Sequence, residues 1–107
     1  MPAVRPDVSI AVVHYETPGV LDNCLRALRH STIVTSLQVF VVDNASKAFD
    51  RRAAEGALPR VTVIQNATNV GFARASNQAL RLATGRYLLL LNPDAEVEPD
   101  ALETMRE

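Results

Sequence analysis

The chain has 107 residues, 48% of them hydrophobic and 21% charged, with a net charge of -1, the make-up of one ordinary globular domain with no electrostatic footprint for nucleic acid or a membrane surface. Its single cysteine, Cys24, excludes an internal disulfide and cannot make a metal site alone, so it is expected to pack as a small apolar side chain. No segment reaches the roughly 20 apolar residues that a bilayer span requires, and MPAVRPDVSI lacks the apolar core of a signal peptide, so a cytoplasmic placement is the expectation.

Val8 to Val13 is a short apolar run that reads as a buried strand ending in His14, Tyr15, Glu16 and Thr17. Thr17 followed by Pro18 signals a helix start, since threonine can cap free amides and proline is pre-set for the first helical position. Leu21, Leu25 and Leu28 then give that helix one apolar face. Leu37 to Val42 is a second strand, stopping at Asp43, Asn44, Ala45 and Ser46. Ser46 is the expected cap of a second helix on which Phe49, Ala53 and Ala57 share a face, with Gly56 and Pro59 ending it.

Val61 to Ile64, rich in branched residues, is the third strand, followed by Gln65, Asn66, Thr68 and Asn69. Gly71 opens a third helix carrying Phe72, Ala75, Ala79, Leu82 and Ala83 at three- and four-residue steps, and Gly85 is expected to close it in a left-handed conformation. The fourth strand, Tyr87 to Leu91, is an unbroken apolar run that breaks into Asn92, Pro93, Asp94 and Glu96. Its lack of alternation predicts burial on both faces. Pro99, Leu102 and Met105 suggest a final short helix. Strands alternating with helices at these lengths imply right-handed crossovers, a parallel sheet and helices on both faces. With no repeat, low-complexity tract or linker, one domain is expected over residues 1–107.

All four strands end in polar clusters, whereas their starts carry Asp7, Ser36, Arg60 and Arg86. Turns after strands are polar anyway, because asparagine and aspartate satisfy turn geometry with their own side chains. Four clusters at one edge nevertheless coincide with the carboxyl ends of parallel strands, where ligands bind in open sheets. Asp43 could accept from the ring NH of a base or merely cap the next helix. The first loop, HYETPGV, has neither a GxGxxG nor a GxxxxGK phosphate loop. A receiver domain would need an aspartate where the third strand instead runs into Gln65 and Asn66.

Asp94 supplies one hard carboxylate, the ligand type preferred by magnesium and manganese, which bind through one or two carboxylates plus substrate phosphates. Asn69, Gly71, Arg74 and Asn77 place amide and guanidinium groups near the start of the third helix, whose dipole also favours an anion. Arg74 reads equally well as a solvated helix charge.

These residues and motifs, VSIAVVHYET, VFVVDNAS and NVGFARASNQALRLATGRYLLLLNPDAEV, closely resemble the amino-terminal half of a family 2 glycosyltransferase, especially its rhamnosyltransferase-like branch. The resemblance covers nearly the whole chain. It implies a three-layer Rossmann-like α/β fold of the GT-A type, an open parallel sheet of strand order 3-2-1-4 with helices on both faces. It further implies transfer of a sugar from a nucleotide diphosphate donor, dTDP- or UDP-linked, to an acceptor hydroxyl in cell-surface polysaccharide or glycolipid synthesis, with Mg2+ or Mn2+ as cofactor. By that resemblance Tyr15 and Glu16 line the nucleoside pocket, and Asp43 contacts the base. Asn69, Arg74 and Asn77 lie near the diphosphate or sugar, while Asn92 and Asp94 occupy the DXD positions with Asp94 as metal ligand.

Three departures qualify the resemblance. Asn92 stands for the first aspartate, so metal binding without donor is expected to be weak. His14 stands where the family often has asparagine or threonine, and is read as structural. The family's catalytic base and acceptor-binding half would follow Glu107, so none of these residues is expected to be catalytic and the chain alone is expected to be inactive in transfer. A non-catalytic nucleotide-binding or interaction module is the alternative. With strand order 3-2-1-4 the strand at Tyr87 to Leu91 lies at an edge, which predicts self-association there or through apolar surface that the acceptor-binding half would cover. The full-length protein is expected to be cytoplasmic, with a peripheral association with the inner face of the membrane as a further expectation.

Overall fold

A computed structural model describes residues 5–106; the first four residues of the segment judged for a signal peptide, and Glu107, lie outside the described residues. The order of elements is β1 (Val8–His14), α1 (Pro18–Arg29), a 3-10 turn (Val34–Ser36), β2 (Leu37–Asp43), α2 (Arg51–Glu55), β3 (Val61–Gln65), α3 (Phe72–Leu80), β4 (Tyr87–Leu91) and α4 (Ala101–Arg106). The four strands form one sheet in the order β3-β2-β1-β4, and every pairing is parallel. This is the predicted α/β architecture and strand order.

Side chains alternate along the strands between two layers, as the two-residue period of a strand requires. Val8, Ile10 and Val12 of β1, with Val39 and Val41 of β2, face Leu21, Cys24, Leu25 and Leu28 of α1, Ala54 of α2 and Leu102 of α4. Ala11, Phe40 and Val42 face the other way, onto Ala75 and Ala79 of α3. Both faces of β1 and β2 are therefore covered, which is why those runs are apolar without alternation. Cys24 is fully buried in the first layer, as expected of a small apolar side chain. There, burial joined by the negative charge of Asp94 and Glu96 pushes its thiol up to about 11.

β4 departs from the expectation of burial on both faces. Leu89 and Leu91 pack against the α1 layer, but Tyr87, Leu88 and Leu90 are about half exposed, at 51%, 56% and 47%. The register sets Leu88 opposite Ser9 and Leu90 opposite Ala11, so both leucines point to the α3 side. α3 packs over β1 and β2 and leaves that strip uncovered. An apolar run alone could not show which strand would lack a lid.

Local signals at helix ends were partly overtaken by longer-range bonds. α1 starts at Pro18 as predicted, yet the Thr17 side chain caps nothing. α2 is capped by Asp50, whose Oδ1 accepts from the Ala53 amide at 3.0 Å; Ser46 is not its cap, because Asp43 and Glu16 have claimed it. α2 is correspondingly short, and Phe49 precedes it rather than riding on it. Gly71 opens α3 with φ 86°, a conformation that suits glycine. α3 ends at Leu80, so Gly85 does not close it; Phe72 and Leu82 are exposed, and the helix buries Ala75 and Ala79 instead. Gly85 is needed for closeness: a Cβ there would sit 2.6 Å from Ser9 Oγ and 2.7 Å from the Ser9 amide nitrogen. Leu102 of α4 is buried, while Met105 is exposed.

Candidate functional site

The register aligns His14, Asp43 and Gln65 in one row across the carboxyl edge of the sheet, and from that row the polar loops depart. His14 and Asp43 are both buried. His14 Nδ1 lies 2.7 Å from Asp43 Oδ1, and Asp43 Oδ2 accepts from the Ser46 amide at 3.0 Å. Each carboxylate oxygen has a donor, which is what a buried acid requires.

Ser46 in turn joins the second loop to the first. Its Oγ accepts from the Glu16 amide at 2.7 Å, and Glu16 Oε1 accepts from the Lys47 amide at 2.8 Å. Glu16 and Ala45 both adopt positive φ, 55° and 67°, a region that costs an ordinary residue about 1 kcal/mol. That cost is met where the two loops are tied together. Tyr15 projects beside this strap, 52% exposed.

The third loop is organised by Asn44, a buried residue that sequence reasoning did not single out. Its Oδ1 accepts from Asn66 Nδ2 at 3.0 Å and from the Val70 amide at 3.4 Å, while its Nδ2 donates to the Gly71 carbonyl at 3.3 Å. Asn66 and Gln78 exchange two hydrogen bonds of 2.9 Å, fastening the loop to α3. Asn69 Oδ1 accepts from the Gly71 amide at 2.9 Å. Tyr15, Glu16, Asp43 and Asn69 are thereby gathered on one connected set of loops. Arg74 and Asn77 lie on the exposed flank of α3, in a shallow depression shared with Val70, Gln78 and Arg81. No ion pair among the described residues holds Arg74.

Asn92 and Asp94 leave the sheet from β4, on the other side of β1. Asn92 Oδ1 accepts from the Asp94 amide at 3.2 Å, so Asn92 turns back to shape the loop and Asp94 stays exposed. Among the described residues no three histidine, cysteine or acidic side chains gather closely enough to hold a metal. One accessible hard carboxylate fits a divalent cation whose remaining ligands are diphosphate oxygens and water, and does not fit a cage made by protein alone.

A family model described as Glycosyl transferase family 2 matches residues 9–107. The chain is 35% identical over 101 residues to a chondroitin synthase of Escherichia coli, covering 92% of this chain and 14% of that protein. It is 32% identical over 103 residues to a hyaluronan synthase of Pasteurella multocida, covering 92% of this chain and 10% of the relative. Among solved structures it resembles a Pyrobaculum calidifontis mannosyltransferase in complex with GDP-Man and Mn2+, with a TM-score of 0.78 and 31% identity over 92% of this chain and 31% of that one. It also resembles S. aureus TarS 1-349 in complex with UDP, with a TM-score of 0.83 and 25% identity over 92% of this chain and 30% of that one. The chain thus spans no more than about a third of these proteins.

Proposed function

The chain belongs to glycosyl transferase family 2, and from that premise we propose that it forms the donor-nucleotide half of a glycosyltransferase that moves a sugar from a nucleotide diphosphate to an acceptor hydroxyl in polysaccharide or glycolipid synthesis. The observation that carries this reading is the gathering of the polar loops at the carboxyl edge of a parallel sheet, with Asp94 exposed beside them. A ligand at that edge meets the ends of several strands at once.

In this reading Tyr15 and the Glu16 strap form the wall of the nucleoside pocket. Asp43 is the base contact in this reading; its carboxylate is buried and already accepts from His14 and the Ser46 amide, so the base NH would take a further one of the roughly four acceptor positions that a carboxylate offers. Asn69, Arg74 and Asn77 serve the diphosphate or sugar, and Asn92 sets the turn that presents Asp94. Asp94 would hold Mg2+ or Mn2+ together with the diphosphate, and the bound ion would supply Lewis-acid stabilisation of the departing nucleotide diphosphate. The family resemblance of the motifs supports a dTDP- or UDP-linked donor of the rhamnosyltransferase-like kind, and galactofuranose or glucose would fit the same motifs. The catalytic base and the acceptor site belong to sequence beyond these residues, and these residues alone transfer no sugar. Among the described residues no helix is long and apolar enough to cross a membrane; attachment to the inner face of the membrane is part of the proposal for the full-length protein.

Calorimetric titration with UDP, dTDP and GDP, with and without Mn2+, tests the reading. Metal-dependent binding is expected, and Asp94→Ala should weaken it by about tenfold or more, roughly 1.4 kcal/mol, at unchanged melting temperature because the side chain is exposed. Equal affinity in the variant would remove Asp94 from the site.

The open edge of β4 completes the proposal for partners. An uncharged, half-exposed run at the edge of the sheet invites strand pairing with a second copy. Sedimentation velocity should show concentration-dependent association that Leu90→Lys abolishes; a wild-type monomer at high concentration would count against it.

A further inference from the structure

His14 ends β1 fully buried, its ring centroid 5.7 Å from that of Phe49. Its two nitrogens face two different loops. Nδ1 lies 2.7 Å from Asp43 Oδ1, and Nε2 lies 3.0 Å from the Thr17 amide nitrogen. An amide can only donate, so Nε2 is the bare nitrogen and the proton sits on Nδ1, pointing at the carboxylate. The other neutral tautomer would set N–H against N–H at Thr17 and lone pair against lone pair at Asp43. A single tautomer therefore satisfies both neighbours.

Ser46 Oγ also approaches Nδ1, at 3.5 Å. Serine, histidine and aspartate are thus together, but not as a nucleophilic relay. In such a relay the serine and the acid hold opposite nitrogens of the ring; here both approach Nδ1, and Nε2 is spent on an amide.

We propose that His14 is a positioning residue: donating from Nδ1 to Asp43 and accepting at Nε2 from Thr17, it locks the loop after β1 to the loop after β2. The lock fixes Asp43, and through Asp43 Oδ2 the Ser46 amide and the Ser46–Glu16 strap. These are the walls assigned to the nucleoside. What they bind rests on the donor-nucleotide reading; the lock itself does not.

Two substitutions separate the two bonds. His14→Asn puts its amide nitrogen near the place of Nδ1, keeping a donor for Asp43 and abandoning Thr17. His14→Gln reaches the place of Nε2, where its carbonyl accepts from Thr17, and abandons Asp43. Ring 15N spectra of the protein should show Nδ1 protonated and Nε2 bare. In His14→Asn the Thr17 amide should exchange faster by about tenfold while Ser46 stays protected, and His14→Gln should show the reverse, as loss of one hydrogen bond predicts. UDP with Mn2+ should bind His14→Asn within about threefold of wild type and His14→Gln about tenfold more weakly. A protonated Nε2, or the same exchange pattern in both variants, overturns the lock. Equal UDP affinity in the two variants overturns its role in the pocket. Absence of UDP, dTDP and GDP binding by wild type sinks the donor-nucleotide reading instead, and the spectra and exchange data still decide the lock. A variant that merely loosens the fold would raise exchange at both amides, which is why the opposed pattern is the criterion.

Discussion

Gly85→Ala is expected to destabilise the protein by about 3 kcal/mol, the upper range for forcing a methyl group into a packed site. The added Cβ would lie 2.6 Å from Ser9 Oγ, 2.7 Å from the Ser9 amide nitrogen and 3.0 Å from the Val8 carbonyl carbon. Two of these obstacles are backbone of β1, which is held on one side by β2 and on the other by β4. The third is held as well: Ser9 Oγ accepts from the Gly85 amide at 2.8 Å and donates to Gln38 Oε1 at 2.6 Å. Relief requires moving β4 away from β1 or breaking that polar staple, and both weaken the sheet at its amino end. Urea unfolding measures the effect as a lower midpoint at unchanged slope. Gly19→Ala is the internal control, since a Cβ at that helical position meets nothing within 4 Å, and alanine should there be neutral or stabilising by up to about 1 kcal/mol. Equal midpoints for the two variants would refute the packing account.

Asp43→Asn should cost about 2 to 3 kcal/mol although it changes neither size nor shape, because it leaves a buried donor unpaired. The carboxylate accepts twice, from His14 Nδ1 and from the Ser46 amide. An asparagine has one carbonyl oxygen. With that oxygen toward His14, its NH2 confronts the Ser46 N–H. With the oxygen toward Ser46, the NH2 needs a bare Nδ1, which moves the proton to Nε2 and sets it against the Thr17 N–H. No arrangement satisfies all four groups. Thermal unfolding together with the His14 ring 15N spectrum would display both the loss and which conflict the protein accepts. A variant as stable as wild type would mean that water enters to serve the orphaned group.

The residues that could be read in advance are those whose reasons are local. Apolar runs marked the strands, Thr17 and Pro18 marked the start of α1, and the polar clusters after each strand marked the edge where the loops gather. Ser46 shows the limit of that logic: its type suited a helix cap, but its hydroxyl went to the Glu16 amide, 30 residues away, and Asp50 capped α2 instead. Asn44 was one polar residue among several until folding buried it under the start of α3. Gly85 looked like a helix stop, and only its approach to Ser9 showed what its missing side chain is for.

β4 and His14 mark the same boundary from opposite sides. By itself the sequence determined that Tyr87 to Leu91 is a strand and that the chain is a parallel α/β layer with a polar carboxyl edge, because those properties follow from the periodicity and chemistry of neighbouring residues. Tertiary structure alone decided that Leu88 and Leu90 stay open, since exposure depends on where α3 comes to rest. It also decided that His14 faces Asp43, since that bond depends on the register between two strands whose paired residues lie 29 positions apart. Partners of that kind are chosen by the assembled sheet rather than by any stretch of the chain.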